Sequence, residues 1–216
     1  MGTIVNERIV DYINSLDKGN SPVCNAIEKE ALADGVPIIR KEMGNLLKVL
    51  LLLKQPQKIL EVGTAVGYSS ILMSENMPQN CRITTIENYE KRIPVAKNNF
   101  KRAGKEEVIT LLEGDAMDIL KELGGTYDFI FMDAAKGQYI NFLPELLRLM
   151  PAGGLLISDN VLQEGDIVES RYGVTRRNRT IHTRMREYIY TLTHAEQLET
   201  SIVPIGDGIT LSVKKG

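Results

Sequence analysis

Asp133, Asp159 and Asn160 are two carboxylates and an amide, the residue types that together hold a hard metal ion. An oxygen-only set of this kind suits Mg2+, Mn2+ or Ca2+ rather than zinc. Three protein ligands leave about three octahedral positions, enough for two adjacent oxygens of an acceptor and a water. A second group of residues suits a nucleoside. In the run Glu61-Val62-Gly63-Thr64-Ala65-Val66-Gly67-Tyr68-Ser69, Gly63 permits a tight turn and Gly67 close strand-to-helix packing. Glu87 is an acid placed to accept from ribose hydroxyls, and Gly114-Asp115-Ala116 is a small–acidic–small step suited to an adenine edge. Ala65 stands where a dinucleotide fingerprint has the glycine that lets backbone approach a pyrophosphate. S-adenosylmethionine, with adenosine and no phosphate, matches better than a dinucleotide.

These residues belong at the ends of strands. From Lys58 onward short apolar runs alternate with longer amphipathic ones. Lys58–Val62, Arg82–Glu87, Val108–Glu113, Tyr127–Asp133 and Gly154–Asp159 read as strands. The stretches Ser69–Glu75, Tyr89–Ala103, Ala116–Leu123 and Tyr139–Met150 between them read as helices. Such alternation predicts a parallel sheet covered on both faces, with ligands beyond the carboxyl ends of its strands. Glu199–Pro204 and Ile209–Lys214, joined at Gly206-Asp207-Gly208, predict a closing hairpin. The fold expected is α/β: a doubly wound, mostly parallel, seven-stranded Rossmann-like sheet, ending in an antiparallel hairpin. Three helices precede it. Ile4, Ile9, Tyr12, Ile13 and Leu16 recur at helical spacing; Ser21-Pro22 reads as an N-cap and first helical position; Met43 to Lys54 forms the third. One domain is expected over 1–216, with a helical cap over 1–55 and a catalytic α/β core over 56–216.

From about Val36 to its end the chain resembles the small metal-dependent O-methyltransferases of the catechol and caffeoyl-coenzyme A type. The resemblance rests on the Glu61–Ser69 loop, Glu87, Gly114-Asp115-Ala116, Asp133-Ala134-Ala135-Lys136, Asp159-Asn160 and Pro204-Ile205-Gly206-Asp207-Gly208. It implies cofactor contacts at Ile39, Gly63, Ser69, Glu87, Ala116 and Asp133, and Asp115 joins them from its strand end. It also implies metal ligation by Asp133, Asp159 and Asn160, with Lys136 near the reacting oxygen. Methyl transfer from a sulfonium is an in-line displacement governed by alignment. A neutral hydroxyl is a poor nucleophile, which a divalent cation acidifies and Lys136 is placed to deprotonate.

The acceptor is read from the run Arg171 to Arg186, far denser in arginine than the rest of the chain. Arginine is the bidentate partner of phosphate, and Arg176, Arg177 and Arg179 lie close enough to engage a polyanion together. The segment resembles that of the bacterial branch that methylates 5-hydroxyuridine in the tRNA anticodon to 5-methoxyuridine. The expected substrate is therefore tRNA, whose 5-hydroxyl and 4-carbonyl oxygens form a vicinal pair as in catechol. The alternative is a small phenolic acceptor; an anionic coenzyme A thioester also explains the arginines. A dinucleotide oxidoreductase would share the fold, but Ala65 and the metal set speak against it. A silent RNA-binding module would not need those ligands.

A net charge of -2 excludes attraction of the whole molecule to nucleic acid but leaves a local basic patch. Two cysteines, Cys24 and Cys81, have no metal-ligand spacing and point to a reducing cytoplasm. The early Glu7, Arg8 and Asp11 are unlike a secretory signal, and the apolar run Leu46 to Leu53 is too short to cross a bilayer, so no membrane partner is expected. The N-terminal helices suit a cap over the site, a seam between two copies, or both, and a homodimer is expected. His182 and His194 read as structural or surface residues.

Overall fold

The computed structural model describes residues 4–216; Met1, Gly2 and Thr3, the start of the expected cap, lie outside the described residues. Helices α1 (Glu7–Ser15), α2 (Pro22–Ala33) and α3 (Lys41–Lys54) lead into an alternating series. It runs β1 (Lys58–Val62), α4 (Tyr68–Asn76), β2 (Arg82–Glu87), α5 (Ile93–Arg102), β3 (Ile109–Glu113), α6 (Ala116–Glu122), β4 (Phe129–Met132), α7 (Tyr139–Leu149) and β5 (Leu155–Ser158). Helix α8 (Arg179–His194) then leads to β6 (Leu198–Val203) and β7 (Ile209–Lys214).

The strands form one seven-stranded sheet in the order β3-β2-β1-β4-β5-β7-β6. The first five are parallel; β7 runs antiparallel to both β5 and β6. Period-two alternation divides the core between the two faces. Ile59, Phe129, Phe131 and Ile157 pack on one side with Leu47, Ile71 and Phe100, while Leu60, Ile130, Met132 and Leu156 pack on the other with Tyr139, Leu146 and Tyr188. All of β4 and β5 is buried, the mark of parallel strands covered on both faces. The strand order reverses between β1 and β4. A crevice therefore opens at their carboxyl ends, flanked by the ends of β2 and β5.

Local chemistry sets the element boundaries. Ser21 Oγ accepts from Cys24 N at 3.1 Å and Pro22 fills the first turn of α2, so the capping signal works as its residue types predict. Helix α5 begins at Ile93 rather than Tyr89, because the Asn88 and Tyr89 amides donate to the Glu87 carboxylate instead of entering a helix. Strands β4 and β5 stop at Met132 and Ser158, one residue short of the expected Asp133 and Asp159, which leaves both aspartates just beyond the sheet. Helix α8 runs through sequence read only as an arginine-rich segment. Helix α1 forms, but none of its residues is buried; Ile9, Tyr12, Ile13 and Leu16 are exposed, because helical period specifies an apolar face and not what covers it. Among the described residues no helix is long and apolar enough to cross a membrane.

Candidate active site

A cavity of about 630 Å3 lies at the carboxyl ends of β1, β2, β3 and β4. Its wall brings together Ile39, Gly63, Ser69, Glu87, Asp115, Ala116, Asp133, Lys136 and Asn160. Asp159 is buried just behind that wall, and Arg176, Arg177 and Arg179 lie outside it.

One half of the cavity is built around Glu87. The turn after β1 must pass close to the end of β4: Gly63 has φ 104°, and a Cβ there would sit 2.0 Å from the Asp133 carbonyl oxygen. Only glycine fits. The turn places Ala65 N 2.7 Å from Glu87 Oε2, while Asn88 N and Tyr89 N donate to Oε1 at 3.0 and 2.9 Å. A carboxylate has about four acceptor sites, so three backbone donors hold it still and leave capacity for one more. Asp115, on the wall, caps α6 with Oδ1, which accepts from Met117 N at 2.8 Å and Asp118 N at 3.4 Å; among the described residues Oδ2 accepts no hydrogen bond. Ile39 closes the wall from the segment before α3.

Behind Ser69 stands a cluster that sequence reasoning missed. Glu61 is fully buried and accepts hydrogen bonds from the Ser69, Ser70 and Thr85 hydroxyls. Burial pushes its carboxyl up to about 7, against the pull of those three donors. Thr85 Oγ1 also lies 2.6 Å from Thr64 Oγ1, tying the turn after β1 to β2.

The other half holds Asp133, Asp159 and Asn160, the residues expected to ligate a metal. Asp133 N donates to Val62 O, and Asp159 N to Met132 O, both at 2.9 Å, so each aspartate is pinned to the neighbouring strand. Asn160, in the left-handed region at φ 60°, donates from Nδ2 to Asp133 Oδ1 at 3.2 Å and from its backbone N to Asp159 Oδ1 at 2.7 Å. The Tyr139 hydroxyl, 3.1 Å from Asp159 O and 3.3 Å from Met132 O, braces both strand ends from below. Burial raises both carboxyls above their ordinary range; the Asp133 charge adds to this at Asp159, while Lys136 and Asn160 oppose it at Asp133. Among the described residues no three His, Cys, Asp or Glu side chains cluster as a metal site. The third member of this group is an amide. Two close, buried carboxylates that resist carrying charge together, with an asparagine beside them that can offer an amide oxygen, fit a hard divalent cation.

Lys136, in a 3-10 turn over Lys136–Gln138, donates from Nζ to Asp207 Oδ2 at 3.1 Å. Asp207 is another residue whose part here the sequence did not reveal. The arginine-rich run divides. Arg184 Nη1 donates to Gly137 O at 3.0 Å and Arg186 Nη1 to Ile167 O at 2.9 Å, so these two hold the fold. Arg179 lies 5.5 Å over the Tyr172 ring with its Nε buried, while Arg176 and Arg177 are exposed. His182 is buried, its Nε2 3.2 Å from Glu169 O, and His194 lies at the exposed end of α8.

Residues 25–215 match the O-methyltransferase family. A catechol O-methyltransferase of Niastella koreensis is 34% identical over 175 residues, covering 78% of this chain and 79% of that protein. Caffeoyl-CoA O-methyltransferase 2 of Populus trichocarpa is 34% identical over 182 residues, covering 78% and 71%. In fold, the chain is similar to the O-methyltransferase from Bacillus cereus in complex with SAH, with a TM-score of 0.85 at 23% identity over 96% of this chain and 97% of that one.

Proposed function

The chain belongs to the O-methyltransferase family, whose members use S-adenosylmethionine, and from that premise we propose that it methylates a phenolic hydroxyl lying beside a second oxygen. The acceptor class is a small catechol or a caffeoyl-CoA-like thioester, and the reaction uses Mg2+ or a similar cation. The observation that carries this reading is that one cavity wall joins Glu87 and Asp115 at one end to Asp133, Asn160 and Lys136 at the other. The catechol and caffeoyl-CoA relatives support a phenolic acceptor more than the tRNA expected from the arginines.

Each residue then has a physical task. S-adenosylmethionine supplies a methyl group on a sulfonium. Glu87, fixed by three backbone amides, accepts from the ribose, and Asp115 and Ala116 meet the adenine end. Gly63 and Ser69 shape the floor between them, and Ile39 shuts out water. A divalent cation held by Asp133, Asp159 and Asn160 would acidify an acceptor hydroxyl and fix its direction. Lys136 Nζ, on the same wall, takes the hydroxyl proton on the lone pair of its neutral amine while one of its N–H groups stays on Asp207 Oδ2, and it becomes an ammonium paired with that carboxylate. Rigid placement of donor and acceptor across one cavity removes much of the entropic barrier to in-line transfer.

The exposed Arg176 and Arg177, with Arg179 stacked on Tyr172, favour a second reading, methylation of 5-hydroxyuridine in the tRNA anticodon. Labelled S-adenosylmethionine offered with catechol, caffeoyl-CoA or hydroxylated tRNA, with Mg2+ and with EDTA, separates the two. Label in a phenol with Mg2+ and none with EDTA supports the first reading; transfer to tRNA alone replaces it with the second. The uncovered apolar residues of α1 and Val49, Leu52 and Leu53 of α3 support a homodimer, and the free, buried Cys24 and Cys81 suit the cytoplasm.

A further inference from the structure

The turn between β6 and β7 contributes nothing to the cavity wall, yet its single carboxylate reaches the site from behind. Asp207 is 6% exposed and uses both oxygens. Oδ2 accepts from Lys136 Nζ at 3.1 Å, and Oδ1 accepts from the backbone N of Glu164. The surrounding backbone is drawn in as tightly. Leu162 N donates to Asp207 O at 3.0 Å and Val161 N to Gly208 O at 2.9 Å. Gly208 has φ 78°, and a Cβ there would lie 2.2 Å from Leu162 Cγ, so the approach needs glycine.

The segment gripped in this way follows directly from Asp159 and Asn160. It contains Gln163 at φ 51° and Glu164 at φ 54°, both non-glycine residues in the left-handed region. Such conformations persist when surrounding contacts impose them. The amide of Glu164 is held by the same carboxylate that holds the Lys136 amine.

We propose that Asp207 is a positioning residue for methyl transfer, a strut that fixes the Lys136 amine relative to the loop carrying Asp159 and Asn160. The inference rests on the proposed methyltransferase reading, in which Lys136 handles the acceptor's proton. An aspartate is the residue the geometry requires. Its two acceptor oxygens serve two donors on different elements, and its charge stabilises the ammonium that forms once Lys136 has taken the acceptor's proton; an asparagine has one acceptor oxygen and no charge.

The test is a double-mutant cycle on the full-length, Mg2+-loaded protein. Asp207→Asn should lower kcat for catechol by about tenfold or more while S-adenosylmethionine affinity, read by calorimetry, stays within about twofold. In a Lys136→Met background the same change should cost less than about threefold, because residues acting through one another are not additive. An equal loss in both backgrounds overturns the proposal, since Asp207 then acts through the loop alone. If the asparagine variant does not fold, Asp207→Glu keeps both acceptors and the charge but moves them by one methylene. Its loss of kcat should vanish in the Lys136→Met background in the same way, and persistence overturns the proposal. A readout independent of turnover separates this inference from the acceptor assignment. Acetic anhydride should modify Lys136 several-fold faster in Asp207→Asn than in wild type, by peptide mass spectrometry, with the other lysines unchanged. Unchanged Lys136 labelling overturns the strut even where methylation of catechol is observed; faster labelling without any methylation of a phenol faults the acceptor reading instead.

Discussion

Asn160 reaches back to Asp133: its Nδ2 donates to Asp133 Oδ1 at 3.2 Å, so the ends of β4 and β5 are cross-linked at the proposed ligand set. The backbone N of the same asparagine donates to Asp159 Oδ1 at 2.7 Å. Three potential ligands are therefore held together by their own hydrogen bonds before any ion enters. This arrangement belongs to the strand ends and not to the pocket built around Glu87, which lets the two halves be tested apart.

Asp159→Ala removes one carboxylate and leaves the Asn160 amide without its acceptor. Residues that merely support a metal ligand are worth about 10–100-fold in affinity or activity, so losing a ligand should lower methyl transfer by at least about a hundredfold. S-adenosylmethionine affinity should change only several-fold, because Glu87 and Asp115 are untouched. Turnover and calorimetry on the purified variant check both. Full activity of a folded Asp159→Ala, under conditions where EDTA inactivates wild type, would remove Asp159 from the ligand set.

Glu87→Ala should weaken S-adenosylmethionine binding by about 1–3 kcal/mol, the scale of a charge-assisted hydrogen bond. The same change strands the amides of Ala65, Asn88 and Tyr89. Glu87→Gln keeps one acceptor oxygen for them, so it should bind the cofactor better than the alanine variant and melt at a higher temperature. Calorimetric affinity equal to wild type in both variants would place the ribose elsewhere.

Glu61 makes a prediction about pH. Its folded value, about 7, lies above the ordinary 4.5, so the native state holds a proton that the unfolded chain has released between those pH values. Stability from this group is fully present below about pH 4.5, falls as pH rises towards 7, and is constant at its lower level above that. A tenfold difference in proton affinity is worth about 1.4 kcal/mol, so the stability lost across this window is on the order of 3 kcal/mol. Glu61→Gln abolishes this slope. Denaturation of both proteins at pH 5, 6, 7 and 8 should show wild type losing stability relative to the variant as pH rises. Parallel curves would mean that the Ser69, Ser70 and Thr85 hydroxyls offset burial fully.

The sequence made the positions of Glu87, Asp115, Asp133 and Asp159 legible because each ends an apolar run, and a parallel sheet aligns such ends on one edge. The seven-stranded sheet followed from the same alternation and its terminal hairpin. What escaped were contacts between distant residues of ordinary type. Nothing near Lys136 reveals that its partner is Asp207 of the final hairpin, or that Ser69, Ser70 and Thr85 converge on Glu61. Helix α8 was hidden by its own composition: arginine density drew attention to a ligand, although Arg184 and Arg186 serve backbone carbonyls of the fold.

The remaining arginines decide between acceptors. Arg176 and Arg177 are exposed and Arg179 is stacked on Tyr172, all three outside the cavity wall that holds Glu87 and Lys136. A catechol is small enough to meet only that wall. Its Michaelis constant should therefore change by less than about twofold across a salt series, since screening acts weakly on an uncharged acceptor. Replacing Arg176, Arg177 and Arg179 together with alanine should leave that constant and the cofactor affinity unchanged. An anticodon loop behaves otherwise. Each phosphate neutralised by an arginine releases condensed counterions, about 0.7 per contact on a single strand, so the triple replacement should flatten the slope of log affinity against log salt by about two. A coenzyme A thioester carries phosphates and should show a smaller salt dependence of the same sign. Methylation of catechol, caffeoyl-CoA and hydroxylated tRNA across that series, in wild type and triple variant, reads all three at once. Efficient transfer to catechol with a flat salt profile supports the phenolic acceptor. A steep profile on tRNA that the triple replacement flattens, with catechol untouched by the enzyme, transfers the assignment to RNA.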